Sequence, residues 1–329
     1  MLEIDFLKCH ASGSDFTIID IGTLSHDSIS DIVKREIAIN ICNRKGVIGA
    51  DGCIFIDSTD GRATVEIYTP NGERIPLCIN GVRCASRFLI ERQVDNCLKV
   101  ELTLPVGILK AQKAELEEKT LWGVCIDGIH GVRCLDRSEE ELEYVEQFRR
   151  VIKQVEKTKY TENMRINGVW LGAPYLLCYV DTIDEKFLEM LAIKFNLNRV
   201  SSDAANVAFI KILTKEAIYV STFERNGIGI SPSCGAAGLS AIFLGSVNGT
   251  HDFGSYTKVY SSGGVLFGMW EKMEEDFYAT LKADCSYVYR GKTTYNIQSR
   301  ELGKVLQGEL YIDEISSYGT FRDAQTVRI

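Results

Sequence analysis

Two cysteines stand in surroundings that change what a thiol can do. Cys78 lies in RIPLCINGVRCASRF and Cys234 in GISPSCGAAGLSAIF. In each case a strand-like segment ends in a Gly-containing loop, the cysteine follows, and a helix with glycine near its start comes next. The unpaired amides and the dipole at a helix start favour an anion, and a thiol pKa of about 8.5 falls to roughly 3.5–7.5 in such places. Two such thiols, one ionised and one protonated, can take a proton from one face of a carbon and return another from the opposite face. That inverts a stereocentre without a cofactor. A carboxylate on the substrate beside that carbon takes up charge as the proton leaves. The amides after each cysteine, Ile79–Gly81 and Gly235–Gly238 with Ala236 among them, suit that anion. Any single cysteine is far more often a small buried apolar group. The repeated context sets these two apart from the rest of the 11.

The elements that must position them read as α+β. Strands are predicted over Glu3–Lys8 and Phe16–Asp20 around the polar turn HASGSD, then a helix over Asp27–Asn43. The Gly-rich turn KGVIGADG leads to strands Cys53–Asp57 and Thr64–Thr69, the turn PNG, and a helix from Asn80. Strands near Leu98–Thr103 and Gly107–Gln112 follow. The second half starts with a strand near Leu121–Ile126. The segment Ser138–Lys157 is an amphipathic helix with stripe Leu142, Val145, Phe148, Ile152 and Val155, opened by a Ser138/Glu141 capping box. Strand Tyr175–Val180, helix Asp184–Phe195, strands Asn206–Ile212 and Ala217–Phe223, and the Cys234 helix come next. Strands and turns run on to about Tyr289, and the tail holds a short strand, Glu309–Ile312, then polar sequence. The two halves share a weak internal repeat, which implies two similar domains facing each other across a cleft. The expected division is 1–118, with the segment from about 288 packing back on it, then 119–287, with 295–329 as an extension.

Composition narrows the class of function. A chain of 329 residues that is 45% apolar holds about two folded domains. The net charge of −8 argues against a protein whose work is gripping nucleic-acid phosphates. The longest apolar stretch, Trp170–Val180, contains Gly172 and Pro174 and is too short for a membrane span, and MLEIDFLKCH has no secretory-signal layout. The cysteines form no CxxC pair and fit no common zinc spacing, which points to a reducing, cytoplasmic compartment. GVIGADG lacks the G-x-G-x-x-G phosphate layout. His26 and His251 read as solvated residues of polar turns, and His130, in DGIHG, as a turn residue and not a ligand.

In order along residues 3 to 294, the motifs resemble those of the diaminopimelate epimerase family of PLP-independent amino-acid racemases and epimerases. LKCHASGSDFTIID resembles the family's opening strand–turn–strand, and GVIGADG its next Gly-rich turn. CINGVRC is similar to C-G-N-G-x-R-C, NVAF to a substrate-contacting Asn segment, and FERNGIGISPSCGAAG to E-R-G-x-G-E-T-x-A-C-G-[ST]-G. The resemblance implies a fold of two pseudo-symmetric domains, each a sheet wrapped round a central helix, with the site in the cleft. It implies an acid/base pair in Cys78 and Cys234, substrate contacts at Asn80, Asn206, Glu224, Arg225 and Gly235, no cofactor, an amino-acid substrate, and a homodimer.

The departures concern the substrate. Ser14 stands where the family has Asn, Thr69 aligns with another Asn, and Ile79 replaces the Gly after the first cysteine. Gly172-Ala173-Pro174-Tyr175 replaces G-N-P-H, so Tyr175 stands in for a His, either as a polar partner or as filler. Asn226 reads as an insertion, and Cys234-Gly235-Ala236-Ala237-Gly238 lengthens the second helix start by one residue. Each lost hydrogen bond to a charged ligand costs about 1.5–3 kcal/mol. Both thiols survive, so proton transfer does too. Two other readings stay open: a non-catalytic relative that binds a small molecule, and a different isomerase on the same scaffold that works through carboxylates.

Overall fold

The computed structural model describes residues 1–24, 29–58, 63–92, 99–117, 121–136, 138–153, 164–197, 204–225 and 228–324. The chain forms two compact units. One comprises Met1–Gly128 together with Lys282–Ala324, and the other Ile129–Leu281. Among the described residues no helix is long and apolar enough to cross a membrane.

The first unit opens with β1 (Leu2–Ala11) and β2 (Ser14–Asp20), an antiparallel hairpin closed at Ser12-Gly13. Both turn residues have positive φ, Ser12 at 48° and Gly13 at 82°. The turn is therefore tighter than HASGSD suggested, because His10 and Ala11 still belong to β1. Helix α1 (Asp31–Cys42), capped by Ser30, crosses over to β3 (Gly52–Asp57), which lies parallel to β2. Strand β4 (Ala63–Tyr68) pairs antiparallel with β3 and with the short β5 (Arg74–Ile75). Helix α2 (Ile79–Arg92) follows, then the hairpin β6 (Lys99–Leu104) and β7 (Gly107–Ala114), with β6 parallel to β4. β8 (Gly123–Ile129) pairs with β7.

The second unit repeats this pairing scheme. After β9 (Arg133–Cys134) and α3 (Glu139–Lys153), β10 (Arg165–Trp170) and β11 (Pro174–Tyr179) form the antiparallel pair. Helix α4 (Glu185–Leu197) crosses to β12 (Asn206–Thr214), parallel to β11. β13 (Ala217–Glu224) pairs antiparallel with β12 and with the short β14 (Gly229–Ser231). Helix α5 (Gly235–Val247) follows, then β15 (Thr257–Ser261), parallel to β13, and its partner β16 (Gly264–Met273). Strands β17 (Asp276–Asp284) and β18 (Ser286–Asn296) return the chain to the first unit, where β18 lies antiparallel to β1. β19 (Glu301–Leu302), β20 (Leu306–Leu310) and α6 (Ile312–Ala324) complete it.

Helices α2 and α5 occupy the same slot in the two schemes, each preceded by a two- or three-residue strand. α5 is buried from Gly235 through Ser246 and α2 from Ile79 through Ile90. A helix without a solvated face must be enclosed. α2 accordingly touches β1, β2, β3, β4, β6 and β7, and α5 touches β11, β12, β13 and β16. The fold is thus α+β, with a sheet wrapped around a central helix in each unit. Glycines permit the close approach: a Cβ on Gly81 would sit 2.9 Å from Ile67 Cδ1, and one on Gly238 3.0 Å from Val259 Cγ1.

Several local readings need correction. The strand β10 was not anticipated, because its RINGVW has no clear alternation. Leu142 is half exposed, and the core face of α3 is carried by Tyr144, Val145, Phe148, Val151 and Ile152, which pack on Leu188, Leu191 and Phe195 of α4. The Ser138 cap does form, accepting the Glu141 N–H at 3.1 Å. The tail strand is Leu306–Leu310, and the polar sequence after it is the helix α6, for which Ile312 is the first residue. His251 is buried, not solvated. Its ring fills the notch left by Gly245 on α5, where a Cβ would lie 2.1 Å from the imidazole, and Nδ1 meets the Lys215 carbonyl at 2.6 Å. His130 is exposed. His26, Asn226, Val155 and the outer ends of the predicted helices 27–43 and 138–157 lie outside the described residues.

The two turns singled out in the sequence, HASGSD and GVIGADG, are joined by charge. Asp15 meets Lys8 at 2.5 Å and both guanidinium nitrogens of Arg44 at 2.5 and 2.9 Å, while Arg44 also reaches Asp51 at 2.5 Å. The Asp51 N–H donates to Asp15 and the Asp15 N–H to Asp51. Burial raises the Asp15 carboxyl, but Arg44 and Lys8 outweigh it and hold it below the usual range. Burial and Asp15 push Asp51 the other way. A depressed carboxylate stabilises the fold above its unfolded pKa, and that contribution disappears as pH falls through the folded value. Asp15→Asn should therefore lower stability by about 2 kcal/mol at neutral pH and by less at pH 3, below the unfolded carboxyl value. Urea unfolding at the two pH values measures this, and an equal loss at both would refute it.

Candidate active site

Two helix starts, one in each unit, hold the candidate cysteines. In the first, Cys78 stands immediately before α2, and its carbonyl accepts the first helical bond from Val82 N–H at 2.8 Å. Its side chain is partly accessible. Ile79, Asn80 and Gly81 follow as the buried first turn. Asn80 Oδ1 accepts a 2.7 Å hydrogen bond from Arg83 Nη2, which fixes the amide. Arg83 is fully buried. Its Nη1 donates to Ser12 Oγ at 3.2 Å and to the Asp284 carbonyl at 3.1 Å, and the Ser12 hydroxyl donates to Asp284 Oδ1 at 2.6 Å. A buried guanidinium thus ties the first turn of α2 to the opening hairpin and to the end of β17. None of Ser12, Arg83 or Asp284 was singled out in the sequence. Arg83 was visible within CINGVRC, but only the fold brings it to Asp284, far along the chain.

Ser14 and Thr69 belong to the same unit. Ser14 is buried opposite Ala11 in the hairpin. The Thr69 hydroxyl is engaged in its own turn, donating to Asn71 and to the Glu73 carbonyl and accepting the Glu73 N–H at 3.2 Å.

In the second unit Cys234 is the N-cap of α5, with extended backbone and no side-chain capping bond, and its carbonyl accepts from Gly238 N–H at 3.1 Å. Tyr175 Oη lies 3.9 Å from the Cys234 sulfur, and Tyr175 itself is buried. Tyr175 and Asn206 are register partners in the parallel pair β11–β12. The Asn206 amide oxygen accepts the Arg225 N–H at 3.0 Å, and the Arg225 guanidinium donates to the Ala204 carbonyl at 3.0 Å. Glu224, at the end of β13, pairs with Gly229 of β14. Gly235 and Ala236 form the buried first turn of α5. Tyr175, Asn206, Arg225 and Cys234 therefore gather around one end of the sheet of this unit.

Most of the other described thiols are sealed from solvent; Cys97 lies outside the described residues. Cys9, Cys42, Cys53, Cys84, Cys125, Cys178 and Cys285 are buried. Burial pushes the Cys42 thiol up to about 12 and raises Cys53, Cys84, Cys178 and Cys285 as well. Such thiols are not ionised at neutral pH and are poor nucleophiles or bases. Among the described residues only Cys134, away from any helix start, shares the partial exposure of Cys78 and Cys234. Among the described residues no cluster of His, Cys, Asp and Glu could hold a metal ion.

The Tyr175 hydroxyl is placed to donate to Cys234 when the latter is a thiolate. A hydrogen bond to a charged group is worth about 1.5–3 kcal/mol, and one pKa unit is 1.36 kcal/mol. Tyr175→Phe should thus raise the pH midpoint of Cys234 alkylation by iodoacetamide by about one unit. Residue-resolved mass spectrometry reads this, with Cys78 as internal reference, and an unchanged midpoint would show that Tyr175 only fills space.

No family model matches the chain. Similarity to named proteins is nonetheless extensive. The chain is 26% identical to the diaminopimelate epimerase of Clostridium acetobutylicum, across 98% of its own length and 94% of the relative. Among solved structures, a hydroxyproline epimerase from Agrobacterium vitis superposes with TM-score 0.63 at 15% identity, covering 95% of this chain and 94% of that one. A PhzF-family phenazine biosynthesis protein from Bacillus anthracis gives TM-score 0.60 at 15% identity, over 89% and 99% of the two chains. The sequence relatives are isomerases by name, and the chain is a homologue of the diaminopimelate epimerases, built on the fold it shares with the hydroxyproline epimerase and the PhzF-family protein.

Proposed function

We propose that the protein is a cofactor-independent amino-acid racemase or epimerase in which Cys78 and Cys234 exchange a proton at the α-carbon. The observation that carries this reading is the equivalence of their positions. Each cysteine directly precedes the buried central helix of its unit, in the same slot of a repeated pairing scheme. Each is partly accessible where most thiols are buried.

The proposed reaction follows from that placement. One cysteine, as thiolate, takes the α-proton, and the negative charge spreads into the substrate carboxylate. The amides of Ile79–Gly81 and Gly235–Gly238 are the donors offered to that charge. The other cysteine, as thiol, delivers its proton to the opposite face, and the carbon is inverted. Asn80, held by Arg83, and Asn206, held against Arg225, are polar side chains offered to the substrate. Tyr175 donates to the Cys234 thiolate in the half-reaction where that cysteine is the base.

Diaminopimelate is the substrate to which the homologues point, and the same kinship carries the expectation of a cytoplasmic homodimer serving lysine biosynthesis. Ser14, Thr69, Ile79 and Tyr175 alter groups expected to bind substrate and leave both thiols in place. The specificity of the protein is therefore the part of the reading most exposed to experiment. Epimerisation of diaminopimelate and racemisation of other amino acids, followed by polarimetry and NMR, test both points. Cys78→Ala and Cys234→Ala should each lose at least about 10²–10⁴-fold in turnover, the contribution of a positioned acid or base. Full turnover by either variant would contradict the two-thiol scheme.

A further inference from the structure

The C-terminal helix α6 makes contacts that a simple extension has no need of. Glu314, in its first turn, forms a bidentate pair with Arg87 of α2, with Nη1 to Oε2 at 2.5 Å and Nη2 to Oε1 at 2.8 Å. The same carboxylate accepts the Tyr287 N–H at 2.8 Å. Arg87 is 4% exposed. Its Nη1 also donates to the Cys285 carbonyl at 2.8 Å, Nε meets Glu91 at 3.0 Å, and the guanidinium lies over the Tyr287 ring at 3.8 Å and faces Trp122 at 5.0 Å. Four residues earlier on α2, Arg83 grips the preceding carbonyl, that of Asp284, and holds Asn80. One turn separates the two arginines, so they lie on one face of α2.

A second contact from α6 reaches the opening hairpin. Tyr318, buried, packs its ring on His10 with centroids 4.1 Å apart. His10 is two residues from Ser12, which joins Asp284 and Arg83. α6 thus meets the Cys78 helix through Glu314, and the hairpin that holds its first turn through Tyr318. Below these contacts, Cys84 of α2 lies 3.8 Å from Cys285.

We propose that α6 is a brace for the Cys78 helix and that Glu314 is a positioning residue for Cys78 and Asn80. The carboxylate fixes Arg87, Arg87 fixes the axial position of α2 against the β17–β18 junction, and a rigid helix carries that position to its first turn. The inference rests on the proposed role of Cys78, but its test reads the thiol directly and does not depend on turnover.

The test is pH-resolved alkylation of the full chain by iodoacetamide, quantified for each cysteine by mass spectrometry. The wild type is compared with Glu314→Gln, which keeps shape but loses the ion pair, and with Tyr318→Leu, which loses the ring contact. Expected in both variants is a change of about threefold or more in the Cys78 rate, with Cys234 unchanged and Cys9, Cys84 and Cys285 still unlabelled. If the protein racemises an amino acid, kcat should fall by about 10-fold to 100-fold, the scale of a misplacement near 1 Å, with KM nearly constant. An unaltered Cys78 rate in either folded variant overturns the proposal. Labelling of the buried cysteines in both variants also overturns it, since α6 would then sustain the unit as a whole and not the start of α2. Absence of racemase activity in the wild type, with the alkylation pattern as expected, would refute the proposed reaction and leave the brace standing.

Discussion

Burying a helix on every side decides most of what this molecule does. α5 is apolar around its whole circumference, and α2 is buried for nearly its full length although it carries two arginines. Such a helix cannot rest on one sheet face, so a sheet must curl around it, and small residues such as Gly81 and Gly238 must let the strands approach. Once the sides are sealed, the end of the helix is where side chains can reach a ligand. The amides there lack intrahelical partners and attract negative charge. A cysteine at that end in each unit is therefore where an ionisable, accessible thiol is compatible with the fold, and the deeply buried cysteines show the contrast.

The two helix starts are held by different means. α2 carries Arg83 and Arg87, buried cations that would be costly without partners, and these are met by Asn80, Asp284, Cys285, Glu314 and the Tyr287 ring. α5 carries no charge and is fixed by packing, by Trp270 donating to the Leu239 carbonyl at 2.8 Å, and by the Gly245–His251 notch. The polar equipment on that side sits on neighbouring strands, with Tyr175 beside Cys234 and Asn206 beside Tyr175. The halves are alike in topology and distinct in the chemistry that holds their central helices.

Much of this was legible in the sequence. Cys78 and Cys234 stand out because glycine and cysteine at a helix start leave a local signature, and strands such as Cys53–Asp57 and Asn206–Ile212 announce themselves by β-branched runs. The polar supports were not legible, because they join residues remote in sequence. Ser12, Arg83 and Asp284 meet only through the β1–β18 pairing, and His251 is buried because Gly245 lacks a side chain. The helix α6 was hidden by its composition. It has no apolar stripe to betray a period, and only Tyr318 and Phe321 are buried. The turn bonds of Thr69 were likewise not legible: its hydroxyl engages Glu73 four residues on, a local geometry that the motif alone does not announce.

The central claim is that two different thiols serve the two faces of one carbon. It is tested most directly by the early partition of solvent deuterium between the epimers during reaction in D₂O. Two bases predict that the newly formed epimer carries deuterium at the α-carbon, while the remaining starting epimer keeps its protium. Equal early labelling of both epimers, or product that retains the original proton, would mean that a single group handles both faces and would contradict the account.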